Sequence, residues 1–354
     1  MSSAKRFDIL RTLLSVAIAL LISFVIIFFV SKQPLEAIKY LLIGPLTNKR
    51  SIGNVIEAMI PLIFTGTGVC IMFSASQINL AGEGAFHIGG LVAACVGINL
   101  SIPGVSTVLA LLAAGAVGAV FTAIPAIMKI TTTASEMVSS LMINYLALYF
   151  GNYMLNNIIG DPSASAASYP LTSEANLKTL LQGTRIHFGL IIAILVAILG
   201  YVFLYKTKTG FELRITGANE TFARYSGISI VKVIIISQLL GGFIAGLGGG
   251  VEILSPIYSR FTWTSLLGYG WDAIIICTLA KKNPLYTPFA ALFLAYLRTG
   301  ASIMARRTDV TLEIVQITQG IIILLVVAEQ FLSGYKHRMI AKEAKAELAE
   351  EVAK

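Results

Sequence analysis

The chain has 354 residues, of which 56% are hydrophobic and only 12% charged, and its mean hydropathy is +0.82. A soluble domain carries about 25% charged residues, and it needs them to cover its core. The composition therefore argues against a water-soluble protein. The net charge of +8 does not indicate nucleic-acid binding, because the Lys and Arg residues lie in short connectors between apolar runs.

Apolar runs of membrane-spanning length dominate the chain. A helix crosses the hydrocarbon in about 20 residues and satisfies its own backbone hydrogen bonds there. The sequence therefore predicts an all-α, polytopic membrane protein. The ten predicted spans lie at 11–30, 53–73, 86–101, 106–128, 136–156, 187–205, 231–251, 267–280, 285–303 and 312–333.

The distribution of basic residues favours a cytoplasmic position for both termini. This orientation places about 16 Lys and Arg residues inside and about nine outside, as the positive-inside rule requires. We expect a cytoplasmic N-terminus at 1–10, a membrane domain at 11–333 and a charged cytoplasmic tail at 334–354. The first apolar run is predicted to be a retained helix, because no A-x-A cleavage site follows it.

Catalytic motifs are missing from the sequence. It contains no G-x-x-x-x-G-K-[ST] loop, so we do not expect the chain to bind ATP and Mg²⁺ or to hydrolyse ATP. Its three histidines are not close in sequence to a cysteine or a serine nucleophile motif, and its three cysteines lie far apart. The sequence therefore predicts a chain that is not an enzyme and holds no metal or cofactor.

Polar residues at membrane depth are candidate pathway residues, because an ionisable group there is costly unless it faces water or a partner. The stretch from 74 to 87 contains Gln77, Asn79, Glu83 and His87, with glycines that can interrupt a helix. Interhelical hydrogen bonds or a cytoplasmic turn are the alternatives. Asn144 lies eight residues after Glu136, which puts both on one helix face.

Asp272 is a further pathway candidate, and it follows the sequence G-Y-G-W within a predicted span. A buried ion pair with a charged residue of a later span is the alternative interpretation. Between the predicted spans at 187–205 and 231–251 lies a basic inner connector, 206–230, and between 156 and 187 lies a long outer loop, 157–186.

The inner connector contains G-A-N-E-T-F-A-R-Y-S-G-I, from 217 to 228. Its mixture of aromatic, small and charged residues between two glycines predicts a short amphipathic helix at the membrane surface. Such a helix can dock in a groove of a cytoplasmic partner. The alternative is that it rests on lipid headgroups.

Four segments resemble the permease subunits of ABC importers in the branched-chain amino acid, ribose and nucleoside group. They are 78–84, 136–145, 217–228 and 268–274, and the resemblance covers about residues 10–333. It implies that 217–228 is the coupling helix that contacts the ATPase. The docking residues carried over are Gly217, Asn219, Ala223, Ser226 and Gly227. Glu220 and Arg224 are expected to be exposed charges that tune this contact, while Ala81 departs from the usual Gly.

The pattern is most similar to the simple-sugar and nucleoside branch, which implies nucleosides as solute, with sugars or branched-chain amino acids as alternatives. The resemblance also implies a cytoplasmic ABC ATPase that holds ATP and Mg²⁺, a second permease, an extracellular substrate-binding lipoprotein and a bacterial plasma membrane. A nucleoside needs aromatic faces and amide groups. The residues expected to supply them are Asn79, Asn144, Phe86, Tyr145 and Trp271.

Two other classes of function remain open from the sequence. An ion-coupled secondary transporter would use Glu83 and Asp272 as proton or sodium sites. A passive channel or a scaffold subunit would not depend on 217–227.

Overall fold

A computed structural model describes residues 18, 21–22, 24–29, 31–132, 134–310, 317 and 320–321. Within these residues the chain is helical, and its β-structure is limited to two isolated bridges in the long loop. The all-α prediction is confirmed for this part of the chain. The helices are α1 Pro34–Leu42, α2 Lys49–Ser74, α3 Gly82–Asn99, α4 Val105–Thr132, α5 Glu136–Asn157, α6 Gly189–Lys206, α7 Lys208–Ala218, α8 Glu220–Tyr225, α9 Ile230–Ile253, α10 Tyr269–Leu279 and α11 Thr287–Arg307.

Five segments of the described residues are helical, long and apolar enough to cross a membrane: Lys49–Ser74, Val105–Thr132, Gly189–Lys206, Ile230–Ile253 and Pro284–Arg307. The predicted spans at 86–101 and 136–156 are helices too, although their polar residues lower the hydropathy. The predicted spans 11–30 and 312–333 lie largely outside the described residues.

Helix α10 differs from the crossing predicted at 267–280. It has 11 residues, which is about 16 Å at 1.5 Å per residue and about half of the hydrocarbon thickness. The segment before it, 254–268, contains no helix. Non-helical backbone at membrane depth is tolerated where protein or a water-filled cavity surrounds it. The predicted run at 267–280 coincides with α10, and it is too short for a full crossing.

The described residues form two compact units, one of residues 46–296 and one made of the described parts of 1–45 and 297–354. In the larger unit α9 is the central helix and packs on α2, α3 and α4. Its buried face is rich in glycine, which allows helix backbones to approach each other closely.

In the smaller unit, Ile27, Leu41 and Met304 belong to one buried apolar cluster. Asp309 accepts a hydrogen bond from the Ser31 hydroxyl at 2.6 Å, which lowers the pKa of its carboxyl group.

The long loop 158–188 is anchored to one end of the helices of the larger unit. The amide of Thr172 donates to the carbonyl oxygen of Gly97 at the end of α3, and the amide of Leu177 donates to that of Leu254 after α9. Arg260 forms an ion pair with Asp161 at 2.6 Å. The loop is thus an ordered cap over this end of the helices.

Candidate solute pathway and coupling surface

A helix break at residues 75–81 separates α2 from α3, as the glycines and polar residues of this stretch predict. Asn79 holds the break. Its side-chain oxygen accepts from the amide of Ala81 at 2.8 Å, and its side-chain nitrogen donates to the carbonyl of Thr122 in α4 at 3.1 Å. Asn79 is buried, and both ends of its amide are occupied by backbone groups.

Asn144 supports the same break from α5. Its oxygen accepts from the amide of Gly84 at 2.8 Å, and its nitrogen donates to the carbonyl of Leu80 at 2.9 Å. Glu136 is buried on the same face of α5, so the predicted face is confirmed. The interhelical hydrogen bonds considered as an alternative for this region are therefore present.

Glu83 joins the N-termini of α3 and α10. One carboxylate oxygen accepts from the amide of Gly268 at 2.7 Å, and the other accepts from the amide of Gly270. A negative charge at a helix N-terminus is stabilised by the helix dipole and by the unpaired amides there. The two backbones nearly touch, because a methyl group on Gly270 would lie 2.5 Å from the nitrogen of Glu83.

We call this meeting point of α3 and α10 the junction. Gly268 precedes α10 with φ +82°, a conformation that a side chain disfavours. Asp272 lies in the first turn of α10 and is buried. The sequence places Glu83 and Gly268 far apart, so their contact could not be predicted from spacing.

An aromatic cluster lies beside the junction. Phe86 stacks on Trp263 with ring centroids 5.6 Å apart, and it contacts Tyr269 at 5.0 Å. His87 contacts the rings of Phe261 at 5.8 Å and Trp263 at 6.0 Å. Phe261 and Trp263 were not identified from the sequence, although the concentration of aromatic residues at 258–269 is a signal for them.

Tyr145 and Trp271 do not belong to this aromatic cluster and lie on the surface of the larger unit. Their exposed fractions are 55% and 50%. Tyr149 and Tyr153 continue the exposed face of α5. These side chains are therefore available to a lipid, a solute or a second subunit, unlike the buried candidates at the junction.

A buried polar network connects four segments at the end of the bundle opposite the long loop. Lys129 of α4 donates to Glu136 of α5 at 2.8 Å and also to the side-chain oxygen of Gln77. Gln238 of α9 donates to the other oxygen of Glu136 at 2.9 Å. Lys129 gives no signal in the sequence, because it lies at the end of an ordinary apolar helix.

The predicted short helix between the glycines at 217 and 227 is present as α8. Asn219 caps it, since its side-chain oxygen accepts from the amide of Phe222 at 3.0 Å. Gly227 ends it with φ +78°. The 11-residue α7, which precedes α8, was not predicted.

Most of the predicted docking residues of α8 are exposed. Glu220 and Arg224 form an exposed ion pair at 3.1 Å. Ser226 is exposed as well, whereas Ala223 is buried. Ala223 therefore packs α8 against its own chain, and the surface that α8 presents includes the neighbouring Phe222 and Tyr225.

Gly217 connects this surface to the break before α3. Its carbonyl oxygen accepts from the hydroxyl of Ser76 at 2.7 Å. A methyl group on Gly217 would lie 2.0 Å from the carbonyl oxygen of Ser74, so the end of α7 fits closely against the end of α2.

Comparison with known proteins gives consistent similarities. Residues 51–327 match the family described as the permease component of the branched-chain amino acid transport system. The chain is 31% identical to the guanosine ABC transporter permease NupP of Bacillus subtilis, over 78% of this chain and 80% of NupP. It is 29% identical to the glucose ABC transporter permease TsgB13 of Haloferax volcanii, over 91% and 88%. It is 27% identical to the nucleoside ABC transporter permease NupB of Lactococcus lactis, over 91% of each.

A second permease from each of two of these organisms is also similar to this chain, at lower identity. NupQ of B. subtilis is 28% identical over 67% of this chain and 76% of NupQ. NupC of L. lactis is 26% identical over 66% of this chain and 76% of NupC.

Proposed function

Because the chain belongs to the branched-chain amino acid transport system permease family, we propose that it is the membrane-spanning subunit of an ABC importer for nucleosides. The chain is a multi-pass membrane protein of the ABC permease class. The observation that carries the nucleoside assignment is the similarity to the guanosine permease NupP. The similarity to TsgB13 makes glucose-like sugars the second candidate solute.

The energy for import comes from a separate cytoplasmic ABC ATPase that holds ATP and Mg²⁺. Helix α8 docks into it through Asn219, Glu220, Arg224, Ser226 and neighbouring exposed residues. The contact between Gly217 and Ser76 supports this assignment, because it joins the end of α7, next to α8, to the break before α3. ATP-driven motion of α8 then alternates access to the solute pathway from the two sides.

The other partners follow from the same assignment. The chain crosses the plasma membrane of a bacterial cell ten times. Both of its termini lie in the cytoplasm. An extracellular substrate-binding lipoprotein delivers the solute to the cap 158–188. A second, related permease completes the pathway, which agrees with the pairs NupP with NupQ and NupB with NupC.

The predicted pathway residues take two roles in this proposal. Asn79 and Asn144 stabilise the break before α3 and Glu83 forms the junction, while Phe86, His87 and Asp272 lie beside the solute. Tyr145 and Trp271 are exposed and face the second permease or the solute between the two subunits. Ion-coupled transport is less favoured, because both oxygens of Glu83 already accept backbone amides.

Reconstituted transport tests the proposal. Vesicles containing this chain, its ATPase, the second permease and the binding lipoprotein are supplied with labelled guanosine, glucose or leucine. We expect ATP-dependent uptake of guanosine that persists when an uncoupler collapses the proton gradient. Uptake of leucine or glucose alone would contradict the nucleoside assignment, and uptake that depends on the ion gradient without ATP would contradict the importer class.

A further inference from the structure

His87 is a buried polar residue beside the junction whose hydrogen-bonding groups are unused. The side-chain polar atoms of Asn79, Asn144 and Glu83, by contrast, form hydrogen bonds with backbone groups. Both ring nitrogens of His87 are buried, and neither has a hydrogen-bond partner among the described residues. Buried polar atoms are nearly always paired, and an unpaired one destabilises the fold. Two unpaired atoms in one residue therefore indicate a ligand.

Aromatic rings flank His87 on one side, while its Nε2 faces α5, where a methyl group on Gly151 would lie 2.6 Å from it. The indole of Trp263 lies nearly parallel to the ring of Phe86, with 18° between the planes. The indole also lies on Gly90 of α3, where a methyl group would come within 2.2 Å of it. Phe261 meets His87 edge to face at 5.8 Å. A polar edge group and several stackable rings thus occur together.

The cluster is built from two separate pieces of chain. Phe86 and His87 belong to α3, whereas Phe261 and Trp263 belong to the non-helical segment 254–268. Such a segment can separate from a helix without breaking helical hydrogen bonds. The rings stack on one another in this structure, so a solute can enter between them only when the segment moves away from α3.

We propose that Phe86, His87, Phe261 and Trp263 bind the planar heterocyclic base of the solute. The base stacks on the aromatic rings, and the imidazole contacts its polar edge. Every base has a face that stacks on aromatic side chains, and a neutral imidazole offers one donor and one acceptor. A sugar without a base lacks that face. This inference rests on the proposed import of nucleosides and adds that the base, not the ribose, is recognised at the junction.

The substitution His87→Leu separates this role from a structural one. It removes two unpaired polar atoms and breaks no hydrogen bond seen in the structure, so the thermal stability of the purified chain should stay equal or rise. Guanosine uptake by the assembled importer should fall at least about fivefold, as loss of one hydrogen bond predicts. The matched control Asn144→Leu breaks two hydrogen bonds and should lower stability and uptake together. Unchanged uptake in His87→Leu, or a parallel loss of stability, would overturn the assignment.

Trp263 provides a second, independent measurement, the ratio of guanosine uptake to uridine uptake. Trp263→Leu should lower this ratio about threefold or more, because a purine stacks over a larger area than a pyrimidine and stacking is lost. Trp263→Phe should restore most of the ratio. A general loss of activity would reduce the uptake of both solutes equally, and that outcome would count against the site.

If the wild-type importer takes up no nucleoside, the proposed function itself fails. If it takes them up and the ratio is unchanged in Trp263→Leu, only this site fails.

Discussion

The hydroxyl of Ser76 donates a hydrogen bond to the carbonyl oxygen of Gly217 at 2.7 Å, across 141 positions of sequence. Ser76 lies in the break before α3, and Gly217 lies at the end of α7, next to the surface proposed to meet the ATPase. The end of α7, which leads into α8, is therefore in direct contact with the segment that carries Asn79 and leads to Glu83.

We predict that Gly217→Ala uncouples ATP hydrolysis from uptake. The added methyl group would lie 2.0 Å from the carbonyl oxygen of Ser74, so α7 must shift away from α2. Substitutions between coupled sites change the coupling by about 0.5–2 kcal/mol, and uptake per ATP hydrolysed should fall accordingly. The control Gly82→Ala adds a methyl group with only Val69 nearby, at 3.9 Å, and should behave as wild type. Equal coupling in Gly217→Ala and Gly82→Ala would contradict the prediction.

We predict that Glu83→Gln destabilises the larger unit. A glutamine has one acceptor oxygen in place of two, so one amide at the start of α10 loses its partner at a cost of about 1–3 kcal/mol. Thermal unfolding of the purified chain in detergent measures this change. Glu220→Gln is the control, because its ion pair with Arg224 is exposed and contributes less than about 1 kcal/mol. Similar unfolding temperatures for the two variants would argue against the bond between Glu83 and α10.

Lys129→Met should also destabilise the bundle, by about 1–3 kcal/mol, because it removes the positive partner of the buried Glu136. The double variant with Glu136→Gln should recover part of the loss, since no uncompensated charge then remains. A double-mutant cycle in thermal unfolding measures the recovery. Additive losses would show that the two side chains do not interact.

The sequence was sufficient for features that depend on local pattern. Apolar length located α2, α4, α6 and α9, and the eight-residue spacing placed Glu136 and Asn144 on one face. The glycines and polar residues at 77–84 indicated the helix break. Likewise, the composition of 217–228 indicated α8.

Features that depend on tertiary contact were not predictable. Nothing in one sequence indicates that the carboxylate of Glu83 meets the amides of Gly268 and Gly270, or that Trp263 stacks on Phe86. Hydropathy alone also does not show that the apolar run at 267–280 forms only a half-length helix, α10, preceded by the non-helical segment 254–268. Ala223 was expected at the docking surface and is buried, since the resemblance does not show which way α8 faces.

Acid should loosen the cap 158–188. Hydrogen bonds from Ser163 and then Arg260 lower the pKa of Asp161 from 3.8 to about 2. Because the pKa is lower in the folded chain, the charged form stabilises the cap above about pH 4, and this contribution is lost as the pH falls toward 2. Hydrogen exchange of peptides from 158–188, corrected for intrinsic rates, should accelerate across that window.

Asp161→Asn should reproduce this loosening at pH 7, because it removes the negative partner of Arg260. Glu174→Gln makes the same charge change at an exposed position of the same cap and is the control. If Asp161→Asn and Glu174→Gln show the same exchange at pH 7, the ion pair does not hold the cap.

The central claim is that this chain receives its energy through α8, and cysteine cross-linking of the assembled complex tests it most directly. Tyr225 is 88% exposed on α8, and Tyr169 is 45% exposed on the cap. Cysteines are placed at each position in turn, and a short bifunctional reagent is added before and after ATP. We predict that Tyr225→Cys cross-links to the ATPase with an ATP-dependent yield and that Tyr169→Cys does not. Cross-linking of the ATPase at Tyr169→Cys and its absence at Tyr225→Cys would contradict the claim.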